Sequence, residues 1–242
     1  MIRIDRRHEG LTGLAHGGWT AYQLADYIGE QVTVAFRSPI PIETDLAVEL
    51  TGASEWRLFD PTNAETTILE ATPWVPDCPS TDPISIAEAA EATTRFPLTP
   101  DDHPAPRCLS CGYHPESLGI MSGPLGDGRF GTVWRPTGWA LDADGAVDPG
   151  ALWASMDCAA GWYVSCEGPD HRPTVTVQLA VETYVRLQAD TDYALVCWNG
   201  DYEPEWDGRK RGACAALFDA QGTLVANSRS FWVAMSPIDT PD

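Results

Sequence analysis

The pattern of apolar and polar positions divides the chain into two runs of the same order. Behind the start His16-Gly17-Gly18, the apolar positions Ala21, Leu24, Ala25 and Ile28 recur at helical spacing, which predicts a helix over 14–28. The period then drops to two. Val32, Val34 and Phe36 alternate with Thr33, Ala35 and Arg37, a strand pattern that Pro39 and Pro41 end. Leu46, Val48 and Leu50 predict a second strand, residues 56–59 a third, and residues 66–72 a fourth before Pro73. The first half is thus a helix followed by an antiparallel meander.

Residues 76–107 break this order with seven prolines and a single short helical piece over 84–92. Beyond them the order returns at greater length. A strand over 129–134 and a turn at 142–145 precede a helix that opens at Asp148-Pro149-Gly150 and runs to about Val164. Asp148 is its N-cap, and Pro149 occupies the first helical position, where the missing N–H costs nothing. Leu152, Trp153, Met156, Ala160 and Tyr163 form the apolar stripe. Strands follow over 174–181, 193–198, 212–218 and 223–235. Two copies of helix plus meander predict a duplicated α+β unit: a first repeat over 1–75, a Pro-rich crossing linker over 76–107 and a second repeat over 108–242.

Charge narrows the partners. The net charge is -20, and Lys210 is the only lysine, which argues against nucleic acid or an anionic membrane surface as partners. No apolar run approaches the ~20 residues that span a bilayer. The N-terminal residues from Met1 to Arg7 lead into polar sequence rather than an apolar signal core. Seven scattered cysteines do not form a secreted disulfide framework. A reducing cytoplasm is the expected compartment, with Cys158, Cys166, Cys197 and Cys214 as buried small hydrophobes.

Several short segments resemble hotdog-fold acyl-CoA thioesterases of the phenylacetate-pathway type. They are Ala15-His16-Gly17-Gly18 at the helix start, the strand from Val32 to Pro39, the run Gly208-Arg209-Lys210 and the hairpin from Ala215 to Ala226. In addition, Cys108-Leu109-Ser110-Cys111-Gly112 followed by Leu118-Gly119-Ile120 resembles a short cysteine segment found ahead of hotdog domains there. The matches cover roughly residues 13–60 and 108–235 in family order. The resemblance implies a helix wrapped by a curved antiparallel sheet and paired back to back with a second such unit, the thioester lying at the seam. Here both units lie in one chain, a double hotdog. Coenzyme A then arrives as part of the substrate, and no other cofactor is implied. A homodimer of double hotdogs stays open.

In that family a glycine at one helix N-terminus faces an acid from the partner helix, seven residues after the second glycine of its own copy. In the first copy that position is Ala25, and Asp26 is one step off, about 100° around the helix. In the second copy it is Asp157, seven residues after Gly150, but Pro149 has no N–H to donate. The resemblance therefore implies one composite site made by Gly17, Gly18 and Asp157, and a degenerate mirror made by Asp26, Pro149 and Gly150. Backbone N–H groups at a helix N-terminus can hold a developing oxyanion, and a carboxylate can attack or activate water. His16 is expected to position the loop rather than act as a base.

Other residues allow two readings each. Trp153 can line an acyl pocket together with Trp162, Trp198, Trp206 and Trp232, or serve the core. Arg209, Lys210 and Arg211, with Arg172 and Arg186, can hold coenzyme A phosphates or be solvated charges. Cys108, Cys111 and His114 have the spacing of zinc ligands, with Cys78 or His103 as a fourth. The second close pair is missing, so packing is expected and no metal is assigned. The leading expectation is acyl-CoA thioester hydrolysis. The alternatives are a non-catalytic acyl- or CoA-binding protein and a hotdog enoyl hydratase or dehydratase; residues 148–165 hold no Asn or His for the latter.

Overall fold

The computed structural model describes residues 1–74, 76–167, 172–201 and 209–235. Its first half contains β1 (Ile2–Arg3), α1 (Gly17–Ile28), β2 (Val32–Phe36), β3 (Asp45–Leu50), β4 (Trp56–Phe59) and β5 (Thr67–Pro73). The proline-rich stretch carries α2 (Ile86–Thr94), and the second half contains β6 (Gly123–Pro124), β7 (Phe130–Trp134), α3 (Pro149–Cys166), β8 (Thr174–Thr183), β9 (Tyr193–Trp198), β10 (Lys210–Phe218) and β11 (Leu224–Ala234). The two-residue strands β1 and β6 are too short for period-two patterning to announce them.

All the strands among the described residues join one antiparallel sheet in the order β1-β3-β4-β5-β2-β8-β11-β10-β9-β7-β6. The order splits in the middle. The strands of the first half lie on one side and those of the second on the other. They are stitched by β2 against β8, with Val34 opposite Leu179 and Ala35 opposite Gln178.

The helix termini follow their local chemistry. Gly29 ends α1 at φ 74°, the left-handed conformation that L-residues resist. Ser85 and Glu88 close a reciprocal capping box on α2. Asp148 caps α3 through Gly150 N–H at 2.7 Å. The two long helices differ in character. Helix α1 buries one side through Trp19, Thr20, Ala21, Leu24 and Ala25. Helix α3 is buried on almost every face, from Gly150 to Ser165, as expected of a helix enclosed by a sheet. Its small residues permit that enclosure: a Cβ at Gly161 would stand 2.8 Å from the Trp232 ring on β11.

Cys214 is not a free small hydrophobe. It forms a disulfide with Cys78, which ties the proline-rich stretch to β10 across a sequence separation of 136 residues. Cys108, Cys111, Cys158, Cys166 and Cys197 are free thiols. Alkylation of the unreduced, denatured protein in the presence of chelator is expected to label these five cysteines, and labelling after reduction all seven. Mass spectrometry reads the difference. The Cys78→Ser protein is expected to lose about 2–5 kcal/mol in urea unfolding under non-reducing conditions.

Candidate active site

Helices α1 and α3 cross where their side chains vanish. A Cβ at Gly18 would stand 2.6 Å from the Trp153 carbonyl oxygen and 2.7 Å from Asp157 Cβ. At the other end of the crossing, a Cβ at Gly150 would stand 3.0 Å from the Trp19 ring. Only glycine allows α1 to sit this close to α3.

The crossing delivers Asp157 to the start of α1. Its Oδ2 accepts the Gly18 N–H at 2.9 Å and its Oδ1 accepts the Thr176 hydroxyl of β8 at 2.8 Å. Position 17 borders the same carboxylate, where a Cβ would stand 3.2 Å from Asp157 Oδ2 and from the Phe36 ring. Asp157 is only 4% exposed. Burial pushes its carboxyl above the usual range, opposed by His16, the Thr176 hydroxyl and the Gly18 N–H.

His16 stands on both sides of this arrangement. Its Nδ1 lies 3.9 Å from Asp157 Oδ2 and accepts the Trp19 N–H at 3.4 Å, while its Nε2 lies 3.2 Å from Cys158 Sγ. Burial works against a charge on the ring, but Cys108 and Asp157 outweigh it and its pKa is raised. Beyond Nε2 lie Cys158 and Cys108, and Cys111 borders Cys158. Cys158 Sγ is 3.7 Å from Cys108 Sγ and 3.5 Å from Cys111 Sγ. Hydrogen bonds from Cys111 and Cys158, with His16 close by, hold the Cys108 thiol well below its usual range, while the contact with Cys108, together with burial, pushes Cys111 and Cys158 up.

The mirror end is built differently. Gly150 N–H is taken by Asp148 of its own copy at 2.7 Å, and Pro149 donates nothing. Asp26 accepts the Tyr22 hydroxyl at 3.2 Å. A cleft of about 290 Å³ opens here, lined by Arg7, His8, Trp19, Trp139 and Asp148. The His8 ring stacks on Trp19 with centroids 3.9 Å apart. Burial, with Arg7 alongside, lowers its pKa to about 3.

The structure brings together Gly17, Gly18, His16 and Asp157, with Trp153 one turn along α3 and 6% exposed. The basic residues stand elsewhere. Arg209 and Lys210 are exposed at the start of β10. Arg211 is buried, and its guanidinium donates to the Val164 carbonyl near the C-terminal end of α3. Val164 lies seven residues beyond Asp157, about 10 Å along the axis. Gly208 and Trp206 lie outside the described residues. Of the residues with zinc-ligand spacing, His114 Nε2 faces the Cys108 carbonyl at 3.1 Å and Cys78 is consumed by its disulfide. His103 Nδ1 accepts the Ala105 N–H at 3.1 Å. Spacing missed two members of the real cluster: Cys158, in the middle of a helix, and His16, some ninety residues upstream of the Cys108–Cys111 pair.

Two helices packed on one continuous sheet and crossing at glycine define a double-hotdog fold. A Lactobacillus plantarum protein assigned as an oleoyl thioesterase shares it over 97% of this chain and 95% of its own, with TM-score 0.56 and 9% identity. The PaaI protein of the E. coli phenylacetic acid degradation operon matches 49% of this chain and 81% of its own, with TM-score 0.42 and 14% identity. A Bacillus halodurans protein solved with coenzyme A matches 49% and 76%, with TM-score 0.42 and 19% identity. No protein-family model and no curated protein sequence matches the chain.

The crossing makes unequal demands at its two neighbouring glycines. Gly18→Ala meets backbone and Cβ atoms that cannot retreat, and is expected to cost about 1–3 kcal/mol in urea unfolding. Gly17→Ala meets only the ends of two side chains, and is expected to cost less than about 1 kcal/mol.

Proposed function

We propose that the protein hydrolyses an acyl-CoA thioester at a single composite site between its two copies. The observation that carries this reading is the Asp157 carboxylate of α3 held 2.9 Å from the Gly18 N–H of α1. A thioester carbonyl that takes over this N–H would leave the carboxylate free beside the carbonyl carbon. Asp157 would then draw a proton from water as the oxygen attacks, and the Gly18 N–H at the positive end of α1 would hold the oxyanion. Collapse of the tetrahedral species breaks the C–S bond. The thiolate takes a proton, leaving a carboxylic acid and free coenzyme A. The fold shared with the Lactobacillus plantarum protein supports this reaction class. Arg209 and Lys210 are exposed cations that the coenzyme A phosphates can reach for, and Trp153 borders the acyl end.

One observation favours a non-catalytic acyl- or CoA-binding protein instead. Both Asp157 oxygens are already satisfied, by Gly18 and by Thr176, so the carboxylate can serve as an interhelical cap. A panel of acyl-CoAs followed with a thiol reagent separates the readings. Hydrolysis with a loss of about 10²–10⁴-fold in kcat for Asp157→Asn is expected, while Asp26→Asn keeps the parent rate. Saturable binding with no thiol release across the panel would overturn the hydrolase in favour of the binder.

A further inference from the structure

The cysteines beside the candidate active site are placed for more than packing. Free cysteines in a core usually act as small hydrophobes scattered among aliphatic neighbours. Here three of them, Cys108, Cys111 and Cys158, converge on one another, and Cys108 and Cys158 also meet the edge of a buried histidine. The separations are 3.7 Å for Cys108 to Cys158, 3.5 Å for Cys111 to Cys158 and 3.2 Å for His16 Nε2 to Cys158. His16, Cys108 and Cys158 keep their ligand atoms within 4.8 Å of one another. A tetrahedral zinc with Zn–S bonds of about 2.3 Å and a Zn–N bond of about 2.0–2.1 Å sets its sulfurs about 3.8 Å apart and sulfur to nitrogen about 3.5 Å apart. Cys108 to Cys158 and His16 to Cys158 already match edges of that tetrahedron, and Cys111, outside the close trio, stands 3.5 Å from Cys158, so it need only swing toward His16 to close the fourth corner.

The backbone fits as well. Cys108 and Cys111 open a Cys-x-x-Cys-Gly turn in which the Gly112 N–H bonds the Cys108 carbonyl at 2.9 Å. A Cβ at Gly112 would stand 2.5 Å from that oxygen and 2.8 Å from the Cys108 nitrogen, so only glycine closes the turn. The turn is pinned on both sides: Leu109 N–H bonds the Glu9 carbonyl at 2.7 Å, and the Ser110 hydroxyl bonds the Ala154 carbonyl of α3 at 2.9 Å. Outside the sulfurs lies an aromatic shell. Trp162 packs against Phe96 and His103 with ring centroids 5.0 Å apart in each pair. The Trp162 N–H is buried without an oxygen or nitrogen acceptor and borders Cys111, where a metal-bound thiolate would accept it.

We propose that Cys108, Cys111, Cys158 and His16 form a closed, four-coordinate structural site for zinc. Binding replaces three S–H protons by metal–sulfur bonds and releases those protons. Coordination through Nε2 puts the imidazole proton on Nδ1, the atom 3.9 Å from Asp157 Oδ2. His16 then gives up its long contact with the Trp19 N–H and turns its donor to the carboxylate, the arrangement in which a carboxylate orients a metal-bound histidine. The metal would lock the start of α1, the middle of α3 and the cysteine turn to one another. This does not rest on the hydrolase reading, because it is measured without substrate.

The full-length protein, purified without a metal-binding tag and with reductant but no chelator, is expected to carry about one zinc per chain by plasma mass spectrometry. Cobalt(II) added to the reduced apoprotein is expected to give thiolate charge-transfer absorption and the strong ligand-field bands of a tetrahedral site. Cys111→Ser is expected to weaken cobalt binding by at least about 10-fold, while Cys166→Ser leaves it unchanged. If the Cys111 protein does not fold, the parent spectrum still decides. Less than about a tenth of an equivalent of zinc together with no tetrahedral cobalt spectrum would overturn the proposal. So would metal retained at parent affinity in folded Cys108→Ser and Cys111→Ser proteins.

Discussion

The distance between α1 and α3 is the constraint from which the rest of this molecule follows. Backbone meets backbone at Gly18, where even one methyl group would stand 2.6 Å from the Trp153 oxygen. Because the helices cross this tightly, a carboxylate on one reaches an amide on the other with no intermediary. The same approach lets β2 meet β8 and carry one sheet through both copies. A wider crossing would let water between Asp157 and Gly18, and the contact would weaken as the local dielectric rises.

Asp157 and Cys158 are neighbours in sequence, about 100° apart around α3. One side chain turns to Gly18 and Thr176, the other to Cys108 and Cys111. His16 is the hinge between them, Nδ1 toward the carboxylate and Nε2 toward the sulfurs. Two clusters of different chemistry therefore share one imidazole. A change in either is felt by the other through the orientation of that ring.

Much of the fold was legible because its elements are long and strongly patterned. The alternation from Val32 to Phe36 and the Asp148-Pro149 start of α3 each appear where the pattern placed them. The meeting of Asp157 with Gly18 could be anticipated only through the family resemblance, since nothing in local spacing connects residues 139 positions apart. What stayed hidden was tertiary. Cys214 sits in an apolar strand and reads as core, and only the path of the proline-rich stretch brings Cys78 to it. His114 has ligand spacing after Cys111, yet its ring is drawn to the Cys108 carbonyl. Cys158 and His16 meet Cys108 instead of His114, because the helix crossing decides who meets whom.

The different caps of the two helices have a consequence for how such a chain can change. In a dimer of identical subunits every substitution appears twice, related by the twofold axis. A proline at the first helical position, preceded by a self-capping aspartate, would remove the amide donor from both ends at once. Here Pro149 and Asp148 act on α3 alone, while Gly17 and Gly18 still open α1. Joining the halves covalently breaks that symmetry, so one end can be given up to stability while its counterpart keeps an amide directed at a side chain of the other copy.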